Sequence, residues 1–265
     1  MTERIYITGS GGIVGRHALR ALAELAPQAE MIRNTADLTS LSAAAAAVKE
    51  AGPLDLVIHL AAMVPVAEVK ADPARAYAVN AGGTMNLLAA LAGSSARLLL
   101  CSSSHVYSSQ YAPICETADT KPVSLYGQSK LMAEHAARDI CAASGRSLCI
   151  ARLFSIHDPE QTGSYLRPSL ERRFAGVDPE EEFELYGAEG LRDFLTAEEA
   201  ARYLVRLALS DAEGVVNVAS GRPVTVAGFA QSLSPFPLKI KPLGESTNLV
   251  ADVSRLQELL GECNV

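Results

Sequence analysis

The sequence predicts a doubly wound α/β fold, a parallel sheet covered by helices on both faces, with a small interleaved lobe in its C-terminal part. Three observations predict it. Short apolar runs rich in Ile, Val and Leu alternate with alanine-rich amphipathic segments, the pattern of parallel strands buried on both faces. A glycine-rich turn joins the first apolar run directly to the first amphipathic segment. Past about Phe154 the elements shorten, punctuated by Pro159, Gly163, Pro168, Pro179, Gly187 and Gly190. The main unit is therefore expected over residues 1–153 and the small lobe over 154–265, with about 197–220 rejoining the sheet.

Taken in order, the strands are expected at Ile5-Tyr6-Ile7, Met31-Ile32, 54–60, 98–101 and 148–153, each too short and too apolar for a surface helix. Helices are expected at 14–25, 41–50, 74–92 and 125–143, where apolar residues recur at helical spacing. The alanine run 43–47 lies inside the second of these and reads as helix, since alanine has the highest helix propensity. The acidic stretch 178–182 separates two short elements of the lobe. A helix at 197–210 and a strand at 215–218 then restore regular structure.

Composition narrows the function classes. Of 265 residues, 49% are hydrophobic, enough for one sizeable core plus an appended lobe. The net charge of -7 argues against a nucleic-acid partner, which requires a basic excess to displace counterions. Cys101, Cys115, Cys141, Cys149 and Cys263 are odd in number and lack CxxC spacing, so neither a disulfide framework nor a metal site is expected. The histidines other than His105, namely His17, His59, His135 and His157, show no metal spacing and read as structural. No basic-then-apolar leader opens the chain and no apolar stretch approaches ~20 residues, so a cytoplasmic protein without membrane contact is expected.

The first strand ends in Thr8-Gly9-Ser10-Gly11-Gly12-Ile13-Val14-Gly15 and opens a helix. In that context Gly9 suits a tight turn, Gly12 a close approach of backbone N–H groups to a pyrophosphate, and Gly15 close packing of helix on strand. Residues 1–153 thus read as a dinucleotide-binding domain of the Rossmann type, with Ile13 beside the pyrophosphate. About 20 residues further on, an acid would accept the ribose hydroxyls of NAD, whereas an arginine would meet the 2′-phosphate of NADP. Arg33 stands at that point and Asp37 follows a few residues later, which favours NADP over NAD. The alternative is that Arg33 is a solvated charge at a strand end.

These residues resemble the extended short-chain dehydrogenases, also called the NAD-dependent epimerase/dehydratase family, over nearly the whole chain. Asp37-Leu38-Thr39 resembles that family's acidic adenine contact. Val57-Ile58-His59-Leu60-Ala61-Ala62 is similar to its fourth-strand loop beside the cofactor, which makes Leu60, Ala61 and Ala62 cofactor neighbours. Asn80-Ala81-Gly82-Gly83-Thr84-Met85-Asn86-Leu87-Leu88 resembles its NxxGTxNLL helix and puts Asn80 at the cofactor. Ser102-Ser103-Ser104-His105-Val106-Tyr107 and Tyr126-Gly127-Gln128-Ser129-Lys130 resemble its serine-tipped fifth strand and its YxxxK helix.

YxxxK has a mechanical reason. Residues four apart on a helix share a face, so the Lys130 ammonium should lie near the Tyr126 phenol and, with a cationic nicotinamide, lower its pKa from ~10. Tyr126 can then exchange a proton with a substrate hydroxyl or carbonyl while the cofactor exchanges a hydride. The register of SSSxVY makes Ser103 the serine that binds the same oxygen, with Ser104 as the fallback. In a strand, residues two apart point to the same side, so if Ser103 faces the substrate, His105 should face it too. Family members that dehydrate sugars carry Asp then Glu where this chain has Ser104 and His105, so dehydration is not expected. His105 could donate a second proton, or could line the substrate pocket.

In the lobe, Leu191-Arg192-Asp193-Phe194-Leu195 resembles the family's segment whose arginine meets the diphosphate of a sugar nucleotide. Arg173, in Glu171-Arg172-Arg173-Phe174, is a second candidate for the same role. A structural Arg192–Asp193 ion pair is the competing reading. Tyr165 occupies a position where related double epimerases carry a histidine. The resemblance thus implies an NAD(P)-dependent oxidoreductase of a nucleotide-linked sugar, foremost a reductase of a 4-keto sugar nucleotide. A nucleotide-sugar 4-epimerase, a dehydrogenase of free sugars or sugar acids, and a non-catalytic dinucleotide sensor are the alternatives. It also implies a homodimer paired through the helices at 74–92 and 125–143.

Overall fold

Six parallel strands form the centre of the molecule, in the order β2-β1-β3-β4-β5-β9. The computed structural model describes residues 2–176 and 178–261, so Cys263 lies outside the described residues. Strand β1 (Arg4–Thr8) leads through the glycine turn into α1 (Ile13–Leu25), β2 (Glu30–Arg33) and α2 (Leu41–Ala51). Ser40 caps α2 by accepting the Ala43 N–H, which explains why the alanine run starts a helix there. Next comes β3 (Leu56–His59), whose four residues are all buried, as a strand covered on both faces must be. The reversal of strand order between β1 and β3 opens a crevice at their carboxyl ends.

The predicted helix 74–92 is not uniform. A short α3 (Val66–Ala71) precedes it, and its span comprises α4 (Pro73–Tyr77), a π-helical turn at Ala78–Gly82 and α5 (Gly83–Ala90). Asp72 starts α4 by capping the Arg75 N–H, with Pro73 in the first helical position. The π turn carries Asn80, and such bulges re-aim side chains that a regular helix would misdirect. Strand β4 (Arg97–Ser103) follows and ends in a 3-10 turn at Ser104–Val106. The long α6 (Leu125–Ser144) is capped by Ser124 and stopped by Gly145 at φ 65°, and β5 (Leu148–Leu153) returns to the sheet. Residues 57–62 therefore follow the third strand and the serines tip the fourth. The family count of fourth and fifth is offset by one, because no strand among the described residues lies beyond β2.

The lobe contains β6 (Ser155–His157), α7 (Leu166–Phe174), β7 (Glu182–Tyr186) and β8 (Leu191–Thr196). The chain then makes α8 (Ala197–Leu209), started by a capping box between Thr196 and Glu199, and β9 (Gly214–Val218), which pairs with β5 at the sheet edge. Strand β10 (Pro223–Thr225), α9 (Val226–Leu233), β11 (Lys239–Leu243) and α10 (Ser254–Leu260) complete it. Two small sheets result, β10-β8-β6 and β11-β7. The main core lies between the sheet, α1 and α8, where Ile5, Ile7, Leu22, Ile58, Leu204 and Val216 are buried together. A separate cluster of Leu170, Phe174, Phe183, Leu185 and Phe229 holds the lobe. No described helix is long and apolar enough to cross a membrane.

Candidate active site

The crevice between β1 and β3 is shaped by backbone that tolerates no side chain. Gly9 has φ 71°, and a Cβ there would lie 2.6 Å from the Ala61 nitrogen. A Cβ on Gly15 would lie 2.2 Å from the Gly9 carbonyl oxygen, so the start of α1 packs directly on the loop. Gly12 is the N-cap of α1 and supplies no side-chain cap to its first-turn N–H groups, leaving a helix N-terminus suited to an anion. Ile13 is the first residue of that helix. Alongside lies a cleft of about 250 Å³ lined by Gly9, Asn34, Asp37, Leu38, Ala61 and Val79. These features fit the adenosine and pyrophosphate of a dinucleotide.

The walls are held by local bonds. Tyr6 donates to Asn34 Oδ1 at 2.6 Å, fixing the turn after β2, on which Arg33 stands exposed. Asp37 accepts the Thr39 N–H and hydroxyl at 2.9 and 2.8 Å, which holds its carboxyl below the usual range. Leu38 is buried and its carbonyl accepts from Asn86 at 2.8 Å. On the β3 side, Leu60 and Ala61 bond back to Thr8, whose hydroxyl contacts His59 Nδ1 at 2.6 Å. The other nitrogen of His59 meets Thr84 at 3.0 Å, so this histidine is a buried brace, as expected from its lack of metal spacing. Ala62 continues that loop to Met63.

Asn80 stands differently from a free cofactor contact. Its Oδ1 accepts the Met63 N–H at 2.7 Å, and its Nδ2 donates to the Met63 carbonyl and to Ser129 Oγ. Ser129 in turn donates to the Tyr126 carbonyl at 2.8 Å. Every polar atom of the Asn80 side chain is thus engaged by protein, and the π turn serves to tie the β3 loop to the first turn of α6.

Tyr126, Lys130 and Ser103 come together where α6 crosses the tip of β4. The Ser103 hydroxyl accepts the His105 N–H at 3.2 Å and lies near enough to the Tyr126 phenol to favour loss of its proton. Gly127 permits the crossing, since a Cβ there would lie 2.1 Å from the His105 carbonyl oxygen. Lys130 ends on the Cys101 carbonyl at 2.7 Å. Burial raises the Tyr126 pKa above the ordinary phenol value, with Cys101 and Tyr165 adding to the rise and Ser103 opposing it. The expected lowering by Lys130 is therefore not what the protein by itself produces; burial is the larger effect. The Lys130 ammonium is itself pushed down by burial, with Cys101 and Glu134 acting against that.

His105 reaches this site by a different route from the one alternation suggested. Strand β4 stops at Ser103, and the 3-10 turn carries His105 round so that its ring meets the Tyr126 ring edge-on, centroids 5.5 Å apart. Burial and then Arg192 hold its pKa down, so the imidazole is neutral near pH 7. Ser104 is buried within the turn. Half-buried Arg192 donates to the Thr247 hydroxyl at 2.9 Å and to the Thr247 and Leu191 carbonyls. Asp193 points to the opposite face of β8, fully buried, and accepts from Ser220 N, Ser220 Oγ and Gly221 N. The Arg192–Asp193 ion pair is thus not formed. Arg173 is exposed, lies 4.0 Å over the Phe183 ring and donates to the Glu184 carbonyl, so its contacts brace α7 against β7.

Sequence reasoning missed Glu134 and Arg152, a buried ion pair beneath the site with a 2.7 Å contact. A signal was present. Glu134 follows Lys130 by four residues, and Arg152 is the single charge in an otherwise apolar strand.

Comparison with known proteins agrees with this geometry. The model of the NAD dependent epimerase/dehydratase family matches residues 5–219. GDP-6-deoxy-D-mannose reductase of Pseudomonas aeruginosa is 33% identical over 245 residues, 88% of this chain and 80% of that protein. dTDP-4-dehydrorhamnose reductase of Sinorhizobium fredii is 34% identical over 137 residues, covering 50% of this chain but only 45% of its own length. The structure of RMD from Pseudomonas aeruginosa complexed with NADPH superimposes with a TM-score of 0.84 at 28% identity, over 98% of this chain and 92% of that one. With a glycine cradle, a Ser-Tyr-Lys cluster and a family match over most of its length, the chain belongs to the NAD dependent epimerase/dehydratase family.

Proposed function

We propose that the protein is an NADPH-dependent reductase of a 4-keto sugar nucleotide. The observation that carries this reading is the convergence at the tip of β4 of Tyr126, whose ring meets His105 edge-on, and Ser103, whose hydroxyl holds the His105 N–H, with Arg192 close to His105. Gly9, Gly12, Ile13 and Gly15 would hold the pyrophosphate, Asp37, Leu38, Leu60, Ala61 and Ala62 would flank the adenosine and nicotinamide halves, and exposed Arg33 would meet the 2′-phosphate. NADPH, when bound, supplies the hydride. The named reductase relatives and the NADPH complex support that choice of cofactor.

The reduction needs a proton donor at the ketone oxygen. Tyr126 is protonated across the neutral range because burial raises its pKa, and it donates to that oxygen. Ser103 hydrogen-bonds the same oxygen and keeps it in line with the phenol. Lys130 places a buried positive charge on the same helix face, which steadies the phenolate as the proton leaves. Arg192 offers a planar fork to the substrate diphosphate, and neutral His105 a hydrogen bond to the sugar. Arg173 remains a second diphosphate contact in this reading, after release from the Glu184 carbonyl. Homodimer formation through α6 belongs to the same reading, supported by Leu125 and Met132, 36% and 49% exposed on its outer face.

The test is to mix purified protein with NADPH and a GDP- or dTDP-linked 4-keto-6-deoxyhexose and to follow NADPH absorbance. Stoichiometric oxidation with formation of the 4-hydroxy sugar supports the reading. Tightly retained NAD, with interconversion of 4-epimers and no net NADPH use, replaces it by a 4-epimerase.

A further inference from the structure

Beneath the Ser103–Tyr126 contact lies a chain of buried polar groups that takes no direct part in the proposed proton transfer. Glu134 is fully buried and its two oxygens accept from four donors. Ser102 Oγ donates at 2.6 Å, Arg152 Nε at 3.0 Å, Arg152 Nη2 at 2.7 Å and Arg138 Nη2 at 3.1 Å. Arg152, only 2% exposed, donates its remaining Nη1 to the Tyr107 hydroxyl at 2.7 Å and stacks over that ring at 4.7 Å. Tyr107 donates to Asn217 Oδ1 at 2.9 Å, and Asn217 Nδ2 donates to the Ile114 carbonyl at 2.8 Å. One connected set therefore spans α6, β4, the 3-10 turn after it, β5 and β9.

Its placement relative to the site is specific. Glu134 is one turn beyond Lys130 and two beyond Tyr126, on the same face of α6. Ser102 immediately precedes Ser103, and Tyr107 immediately follows the turn that carries His105. A buried ion pair is poor value as a stabiliser, since apolar residues of similar volume commonly do as well or better. What such a pair supplies is fixed geometry, because hydrogen bonds specify direction where apolar packing does not.

We propose that Glu134, joined to Ser102 and Arg152, is a positioning residue that sets the register of α6 on β4 and thereby the contact of Tyr126 with Ser103. The inference rests on the reading of Tyr126 and Ser103 as the reacting pair. Ser102 and Glu134 fix the strand tip to the helix, and Arg152 extends the fixture through Tyr107 to the turn bearing His105. Glu134 also supplies a negative charge near the buried Lys130 ammonium. That ammonium is faced by Cys101 of β4, by His59 of β3, and by Glu134 on its own helix.

Three variants and two readouts test this. Ser102→Ala removes one link but leaves Glu134 paired with Arg152, so the fold persists. Its kcat is expected to fall about tenfold, with KM within about twofold and the melting temperature within about 2 °C. The double variant Glu134→Leu/Arg152→Met replaces the pair with apolar volume and strands no charge. It is expected to keep the melting temperature and bind NADPH within about threefold, while kcat falls about a hundredfold. Glu134→Gln removes the negative charge together with one acceptor, and the 13Cε signal of Lys130, assigned with Lys130→Arg, is expected to titrate at lower pH than in the wild type. That signal and a crystal structure of the Ser102→Ala variant need no substrate. They judge the fixture even where the wild type reduces no keto sugar, an outcome that would count against the proposed function alone. Unchanged kcat in the double variant, or, without turnover, an unmoved Lys130 titration together with an intact Ser103–Tyr126 contact, overturns the proposal.

Discussion

Tyr126 combines two properties that pull in opposite directions: burial keeps its proton on, and the proposed reduction requires that proton to leave. The resolution is local, through Ser103 on the phenol and Lys130 one turn away. Tyr126→Phe keeps the ring and its edge-on contact with His105 but removes the proton. Turnover is expected to fall about 10²- to 10⁴-fold while NADPH affinity, measured by fluorescence quenching, stays near the wild-type value. Equal loss of both would mean that Tyr126 shapes the cofactor crevice instead. In the proposed reading Arg192 meets a different part of the substrate. Loss of its charge-assisted bonds in Arg192→Ala is expected to raise KM for a nucleotide-linked substrate about 10- to 100-fold, with a smaller change in kcat. Steady-state kinetics with Arg192→Lys is a useful companion, since a single ammonium cannot replace the fork.

The elements that carry the site owe their precision to close backbone contacts, and these respond steeply to substitution. Gly127 lies where α6 touches the turn holding His105, and an added Cβ would meet backbone oxygen at 2.1 Å with no flexible side chain to give way. Gly127→Ala is expected to destabilise the protein by about 1–3 kcal/mol or more in urea denaturation and to separate Tyr126 from Ser103. The same scale shows what the sequence could and could not reveal. Strands β1, β3, β4 and β5 announced themselves as buried apolar runs, and the order of motifs set Gly9 just after β1, Ser103 at the end of β4, and Tyr126 and Lys130 on the helix that follows. The three-residue strands β6 and β10 did not, because their pairing with β8 depends on partners far away in sequence. The π turn at Asn80 was equally hidden, since one extra residue in a helix leaves the apolar pattern nearly unchanged. His105 is delivered to Tyr126 by a turn, where alternation along a strand had been expected.

At the scale of the whole molecule, His59 links stability to pH. It lies at the centre of the sheet, where its two ring nitrogens join Thr8 of β1 to Thr84 of α5. Burial and the nearby Lys130 push its pKa from 6.5 down to about 3. Above pH 6.5 the imidazole is neutral in both folded and unfolded chains, so it contributes no pH dependence. Below that value the unfolded chain takes up a proton that the folded protein refuses, and stability falls with pH by up to one proton's worth until the folded pKa is reached. Carboxylates held low by their partners, such as Asp37 on Thr39, also lose stability in acid, so the total slope does not isolate His59. A difference does. His59→Gln can still bond to Thr8 or Thr84 but does not titrate. It is expected to be less stable near neutrality and to show a shallower loss of denaturation free energy between about pH 6 and pH 4. The two slopes should differ by about one proton; parallel slopes would mean that the imidazole is charged inside the fold and that Thr8 and Thr84 bind its cationic form.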